Sequence, residues 1–305
     1  MLKQMKKLTV TFILSLIVFV SCDKVKNPVI PKKCNLSQIH VVDSNSSVID
    51  IRKVMVQDYT GHTCGNCPRA AEDLENISAT HPGKVIGIAV HAGTQFSPPK
   101  LPDFPEDFRT TVGSQWDVEF GMSAAGLPKG TVNWATQPYA QPRSSWASQV
   151  NTQLASAQKA KIFLKTSLDT VEMAFGVDVK VTMLTATNFD VRLVLVVTED
   201  SIVARQKDYN PPVGALVENG DEIPDYVFMH VLRRDVNGTW GDLLKEGPVS
   251  SGFQISKTYC SNVSPWGGLR KNLKHTSVVA ILYTKDAGSG AVKEVLQIEK
   301  LHLMK

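Results

Sequence analysis

Charge of one sign is what this 305-residue sequence lacks. Its 33 Lys and Arg face 29 Asp and Glu, and Lys3, Lys6 and Lys7 sit in a leader without acids. Without those three, 30 basic residues meet 29 acidic ones. That balance leaves no electrostatic footprint for nucleic acid, and no nucleic-acid partner is expected. The apolar run at residues 8–20 is shorter than the roughly 20 residues a membrane-spanning helix needs. No internal repeat and no heptad pattern is present, which excludes solenoids and coiled coils. Cysteine is scarce, at five residues. No cofactor is implied.

What is present begins with a targeting segment. Residues 1–21 have a basic start and an apolar run, the form of a secretory signal. Phe19-Val20-Ser21-Cys22 resembles a bacterial lipobox. Cleavage there leaves Cys22 as a lipidated N-terminus, and two or more acyl chains anchor a protein to a membrane without a spanning helix. A plain cleaved signal is the alternative. Residues 22–49, with Pro28, Pro31 and a Ser/Asn-rich stretch, read as a tether.

The chemistry lies next. Residues 50–57 thicken into an apolar strand. Then come Asp58, a short polar turn, Cys64-Gly65-Asn66-Cys67 and a helix-forming segment to residue 80. Strand, turn, Cys-x-x-Cys and helix is the layout of a dithiol redox site. A thiolate is stabilised where free helix N–H groups point at it, so Cys64 is expected at the helix start, exposed and attacking. Cys67, facing inward, resolves a mixed disulfide by closing the Cys64–Cys67 bond. A purely structural disulfide is a second reading. Zinc is a third, and needs two more ligands from distant Cys34, Cys260 or histidines. Export would also allow Cys34 and Cys260 to pair, although two buried free thiols fit the sequence equally.

This stretch resembles the thioredoxin superfamily. The resemblance implies that Asp58, six residues before the first cysteine, lies buried beneath the dithiol and relays a proton to Cys67. It also implies that Gly126-Leu127-Pro128-Lys129-Gly130-Thr131-Val132 is the loop whose cis-proline, here Pro128, faces the dithiol and shapes the peptide groove. Two positions depart from that pattern: Thr63 stands where tryptophan is usual, and Gly-Asn replaces Gly-Pro between the cysteines.

Further on, residues 84–91 form a near-continuous apolar run, as in a strand buried on both faces. Residues 92–107 are a proline-dense insertion. Helices are expected over residues 106–121 and 144–160, with a strand between them at 129–134. From residue 161 the pattern becomes strand after strand, with alternation such as Val191, Leu193, Leu195 and Val197, and with strands over 226–236, 252–260, 277–285 and 292–302. The expected architecture is therefore an α/β thioredoxin-like domain at 50–160 followed by an antiparallel β-sandwich of the Ig/fibronectin kind at 161–305. His62 reads as a loop histidine able to tune Cys64, and His91 as a hydrogen-bonded core residue.

The chain as a whole resembles the Bacteroidetes outer membrane protein 28-like lipoproteins. Asp58 to Pro68 carries the resemblance, with Asp107-Phe108-Arg109-Thr110, Gly126 to Asn133, Tyr226-Val227-Phe228-Met229-His230-Val231-Leu232-Arg233 and Glu294-Val295-Leu296-Gln297. The family implies an outer-membrane lipoprotein. Two functions follow as expectations. One is thiol–disulfide exchange on envelope protein or peptide clients, by Cys64, Cys67, Asp58 and Pro128. The other is a non-catalytic adhesin, receptor or binding lipoprotein. An exposed Cys64 and a cis Pro128 favour the first, and burial of both sulfurs favours the second.

Overall fold

The computed structural model describes residues 40–43, 50–171, 173–262 and 273–304, all within one compact unit. The signal segment, Cys22, Cys34 and most of the tether lie outside the described residues. The fold is mostly β. β1 (His40–Asp43) precedes β2 (Val54–Thr60), which is buried along its whole length. β2 pairs in parallel with β3 (Val85–His91) and antiparallel with β4 (Lys129–Val132).

Three helices flank these strands: α1 (Cys67–Thr80), α2 (Thr111–Phe120) and α3 (Trp146–Leu154). Ala70, Leu74 and Ile77 of α1 recur at helical spacing and bury against Val54, Val56 and Val132, beside Trp146 and Val150 of α3. α2 covers other residues of the same strands, with Val112, Trp116 and Phe120 packed near Met55, Tyr59 and Ile88. It starts later than residue 106. Asp107 Oδ1 accepts the Arg109 N–H at 3.0 Å, a local turn that competes with helix, and Thr110 Oγ1 then caps the Gly113 N–H at 2.9 Å.

The later strands are β5 (Ala160–Asp169), β6 (Ala174–Met183), β7 (Asp190–Glu199), β8 (Ile202–Lys207), β9 (Glu222–Phe228), β10 (Val231–Asp235), β11 (Asp242–Lys245), β12 (Gln254–Asn262), β13 (Thr276–Lys285) and β14 (Val292–His302). One four-stranded sheet has the order β1-β5-β6-β12. An eight-stranded sheet runs β14-β13-β7-β10-β3-β2-β4, with β11 also on β7. Val191, Leu193, Leu195 and Val197 of β7 bury in a core shared with β5 and β6. Val194 and Val196 point the other way, into the core with α2. Alternation along one strand thus serves two cores.

The larger sheet passes through the expected boundary at residue 160. β10 is antiparallel to β7 and parallel to β3, through Val231 opposite Ala89 and the Ala89 N–H donating to the His230 carbonyl at 2.8 Å. The two expected units share this sheet. A buried Lys53–Glu299 ion pair and the Arg52 guanidinium on the Leu296 carbonyl add side-chain ties between the start of β2 and β14.

The expected single strand at 226–236 is two strands. His230 has φ 58°, a left-handed conformation that breaks the extended chain. β9 ends before it and pairs with β8 as a separate hairpin, while β10 continues after it in the large sheet. Its ring explains why a non-glycine residue is held there: Nδ1 lies 2.9 Å from Asp200 and Nε2 3.0 Å from Glu75 of α1.

A covered disulfide at the strand–helix junction

Between β2 and α1 the chain makes one compact turn. The Cys64 N–H donates to the Gly61 carbonyl at 3.0 Å, and the Cys67 N–H to the Cys64 carbonyl at 3.1 Å. α1 opens at Cys67 itself, with Pro68 in its first turn, where helix N–H groups have no intrahelical partner. Cys64 and Cys67 are joined as a disulfide, with Cα atoms 5.4 Å apart. This bond takes up both thiols, and no cluster of three or more His, Cys, Asp or Glu forms a metal site among the described residues.

Cys64 departs from expectation. It is 3 % exposed and Cys67 1 %, so neither sulfur faces solvent. Two segments cover the turn. From the proline-dense insertion, the Phe96 carbonyl accepts the Thr63 N–H at 3.1 Å and presses on Gly61. From the end of β8, Gln206 Nε2 donates to the Cys64 carbonyl at 3.1 Å, the Lys207 N–H to the His62 carbonyl at 2.9 Å, and the Tyr209 N–H to the Gly65 carbonyl at 2.9 Å. The Tyr209 ring lies against Gly65, where an added Cβ would meet it at 2.5 Å. Arg69 Nη2 fixes the same segment to α1 by pairing with buried Asp208 at 2.8 Å. No sequence motif marks these residues as a cover. Their local trace is the Asp208-Tyr209-Asn210-Pro211-Pro212 turn cluster, which gives no hint of its partner.

Asp58 sits on β2 between Ala89 of β3 and Gly130 of β4. It is buried, and its Oδ1 has no hydrogen-bond partner. Burial, then the Asp73 carboxylate, pushes its pKa up to about 8. The carboxyl is therefore protonated at neutral pH. Asp58 and Cys67 line the same cavity of about 430 Å³, between α1 and the β8–β9 hairpin. A larger hollow of about 620 Å³ beside α2, lined by Asp107, Arg109, Glu119 and Trp240 among others, includes neither cysteine. The Leu127–Pro128 bond is cis. The antiparallel register of Lys129 with Tyr59 brings Pro128 to the end of β2, where the cysteine turn begins.

The histidines are placed differently from expectation. The His62 ring stacks on Phe104 at 5.6 Å, in an aromatic nest with Phe108 and His91. Burial lowers its pKa to about 4, so it brings no positive charge to Cys64 at neutral pH. His91 packs on Phe108 at 4.7 Å and Phe228 at 5.6 Å. Neither of its ring nitrogens has a hydrogen-bond partner, and burial, then His62, takes its pKa to about 3. Burial also opposes charge on His230, but the Asp200 and Glu75 carboxylates beside it outweigh that and raise its pKa. Cys260 is disulfide-bonded, and Cys34 lies outside the described residues.

Fold and site together define a mostly-β protein that carries a covered disulfide at a strand–helix junction. The family model for outer membrane protein Omp28 matches residues 114–303. The chain belongs to this family, as an Omp28-like protein of the Bacteroidetes, and its place is the outer membrane of the cell envelope. The chain is similar in fold to HBP35 of Porphyromonas gingivalis, with TM-score 0.58 and 14 % identity over 83 % of this chain and 76 % of that one. A domain of the outer membrane lipoprotein Omp28 from Porphyromonas gingivalis is 21 % identical over 49 % of this chain and 91 % of that one, with TM-score 0.30. No curated protein matches the chain.

Proposed function

We propose that the protein is a lipoprotein, anchored through Cys22, whose thioredoxin-like Cys64–Cys67 pair exchanges with thiols of envelope proteins. The observation that carries this reading is the protonated, buried Asp58 carboxyl, with an unpaired oxygen, in the cavity that Cys67 also lines. A client thiolate attacks Cys64 Sγ and the Cys64–Cys67 bond breaks. Cys67 leaves as a thiolate and takes the proton of Asp58. A second client thiolate then attacks the mixed disulfide and releases the Cys64 thiolate. The client is oxidised by two electrons, the protein is reduced by two, and the reverse sequence reduces a client disulfide. In this reading Pro128, brought to the end of β2 beside the cysteine turn, is the residue a client backbone would run against. Cys64 is covered, so exchange requires a covering segment, at Phe96 or at residues 206–209, to lift.

Burial of both sulfurs favours a second reading, a structural disulfide in a binding lipoprotein. Reduction of insulin by dithiothreitol, followed as turbidity, separates them. Exchange predicts that wild type accelerates it and Cys64→Ser does not. Identical traces from the two overturn exchange and leave the binding protein.

A further inference from the structure

The cavity beside the disulfide has the make-up of a ligand site in its own right. Its walls are mostly apolar, with Leu74 and Ala71 of α1, Ile223 and Phe228 of β9, Ala89 of β3 and Ala215 of the hairpin loop. At about 430 Å³ it falls within the roughly 300–1,000 Å³ range of small-molecule sites. Four lining side chains carry buried polar atoms without a hydrogen-bond partner: Asp58 Oδ1, both ring nitrogens of His91, Arg69 Nε and His230 Nδ1. Of the four, Asp58 and His91 are almost wholly buried and lack an ion-pair partner. Buried polar groups in native proteins are nearly always satisfied, by protein, water or ligand.

The charges at this cavity are already matched. Arg69 pairs with Asp208 and Glu72, and Glu75 pairs with His230. An ionic ligand would find no counter-charge to offset its desolvation. Asp58 and His91 are both neutral at neutral pH and can each donate or accept a hydrogen bond.

We propose that this cavity binds an uncharged amphipathic small molecule, its apolar body between α1 and the β8–β9 hairpin and one hydrogen-bonding end on Asp58 and His91. The inference stands apart from thiol exchange, since it needs only the oxidised protein.

The test is titration of the oxidised full chain with N-phenyl-1-naphthylamine, an uncharged apolar fluorophore with one N–H. The expected result is saturable enhancement at one site per chain, weakened at least tenfold by Ala71→Phe and by Ala215→Trp. These substitutions fill the cavity from opposite walls, so one serves if the other fails to fold by circular dichroism. The sulfonated analogue 1-anilinonaphthalene-8-sulfonate should bind at least tenfold more weakly. No saturable site, equal binding to a folded filled variant, or equal binding of the sulfonate overturns the proposal.

Discussion

Arg69 and Asp208 meet at 2.8 Å, and that contact joins the helix carrying Cys67 to the segment lying over Cys64. Asp208 is buried and Arg69 partly so, which makes the pair more consequential than a surface bridge. With Arg69 partly solvated, Asp208→Asn should cost about 1–2 kcal/mol of that contact. At roughly 1.4 kcal/mol per factor of ten, the cover should open about tenfold more often. The rate of Cys64–Cys67 reduction by a soluble phosphine, followed by alkylation, should rise by about that factor. An unchanged rate would show that this pair does not hold the cover.

Two glycines of the turn should answer differently to alanine. At Gly61 the new Cβ would lie 2.6 Å from the Phe96 carbonyl oxygen, which is backbone and can hardly yield. Gly61→Ala should lower stability by about 1–3 kcal/mol in urea denaturation. At Gly65 the obstacle is the half-exposed Tyr209 ring, which can swing outward. Gly65→Ala should change stability less and speed disulfide reduction more.

The proton on Asp58 makes stability depend on pH. In the unfolded chain this carboxyl ionises near 3.8, whereas in the fold it holds its proton to about 8. Unfolding between those values releases a proton, so stability falls as pH rises through that window. Asp58→Asn removes the dependence. It should be more stable than wild type at pH 7, by on the order of 2 kcal/mol or more, and the two should converge below pH 4. Denaturation midpoints across pH test this, and parallel curves would contradict it.

His230 gives the opposite residue type the same direction. Burial opposes charge on its ring, but the Asp200 and Glu75 carboxylates beside it outweigh that and raise its pKa. The stabilisation is fully present below the unfolded value of about 6.5 and is lost as pH rises through the higher folded value. His230→Gln should therefore lose about 1 kcal/mol at pH 6, discounted for the half-exposed Glu75, and less at pH 9. Thermal melts at the two pH values read the difference.

The region around the cysteines was legible because its signals are local. A buried apolar strand carrying Asp58, a turn with two cysteines and an amphipathic α1 all declare themselves within about 30 consecutive residues. The cover was not legible. Gln206 and Tyr209 meet residues 64 and 65 across more than 140 positions, and nothing in a turn of Asp, Asn and Pro names its partner. Tyr226 to Val236 reads as one strand because extended residues surround His230, and the break rests on a ring held by Glu75 and Asp200. The shared sheet was hidden for a related reason. Its parallel link is one register pair, Val231 with Ala89, too short to leave a sequence pattern.

The most direct test is trapping the mixed disulfide. Cys67→Ser leaves Cys64 without its mate, so a client joined to Cys64 cannot be released by resolution. Incubated with a peptide disulfide and analysed by mass spectrometry under non-reducing conditions, this variant should accumulate an adduct at Cys64, more of it when Asp208→Asn is added. If Cys64 carries no adduct even with the cover loosened, the disulfide is structural.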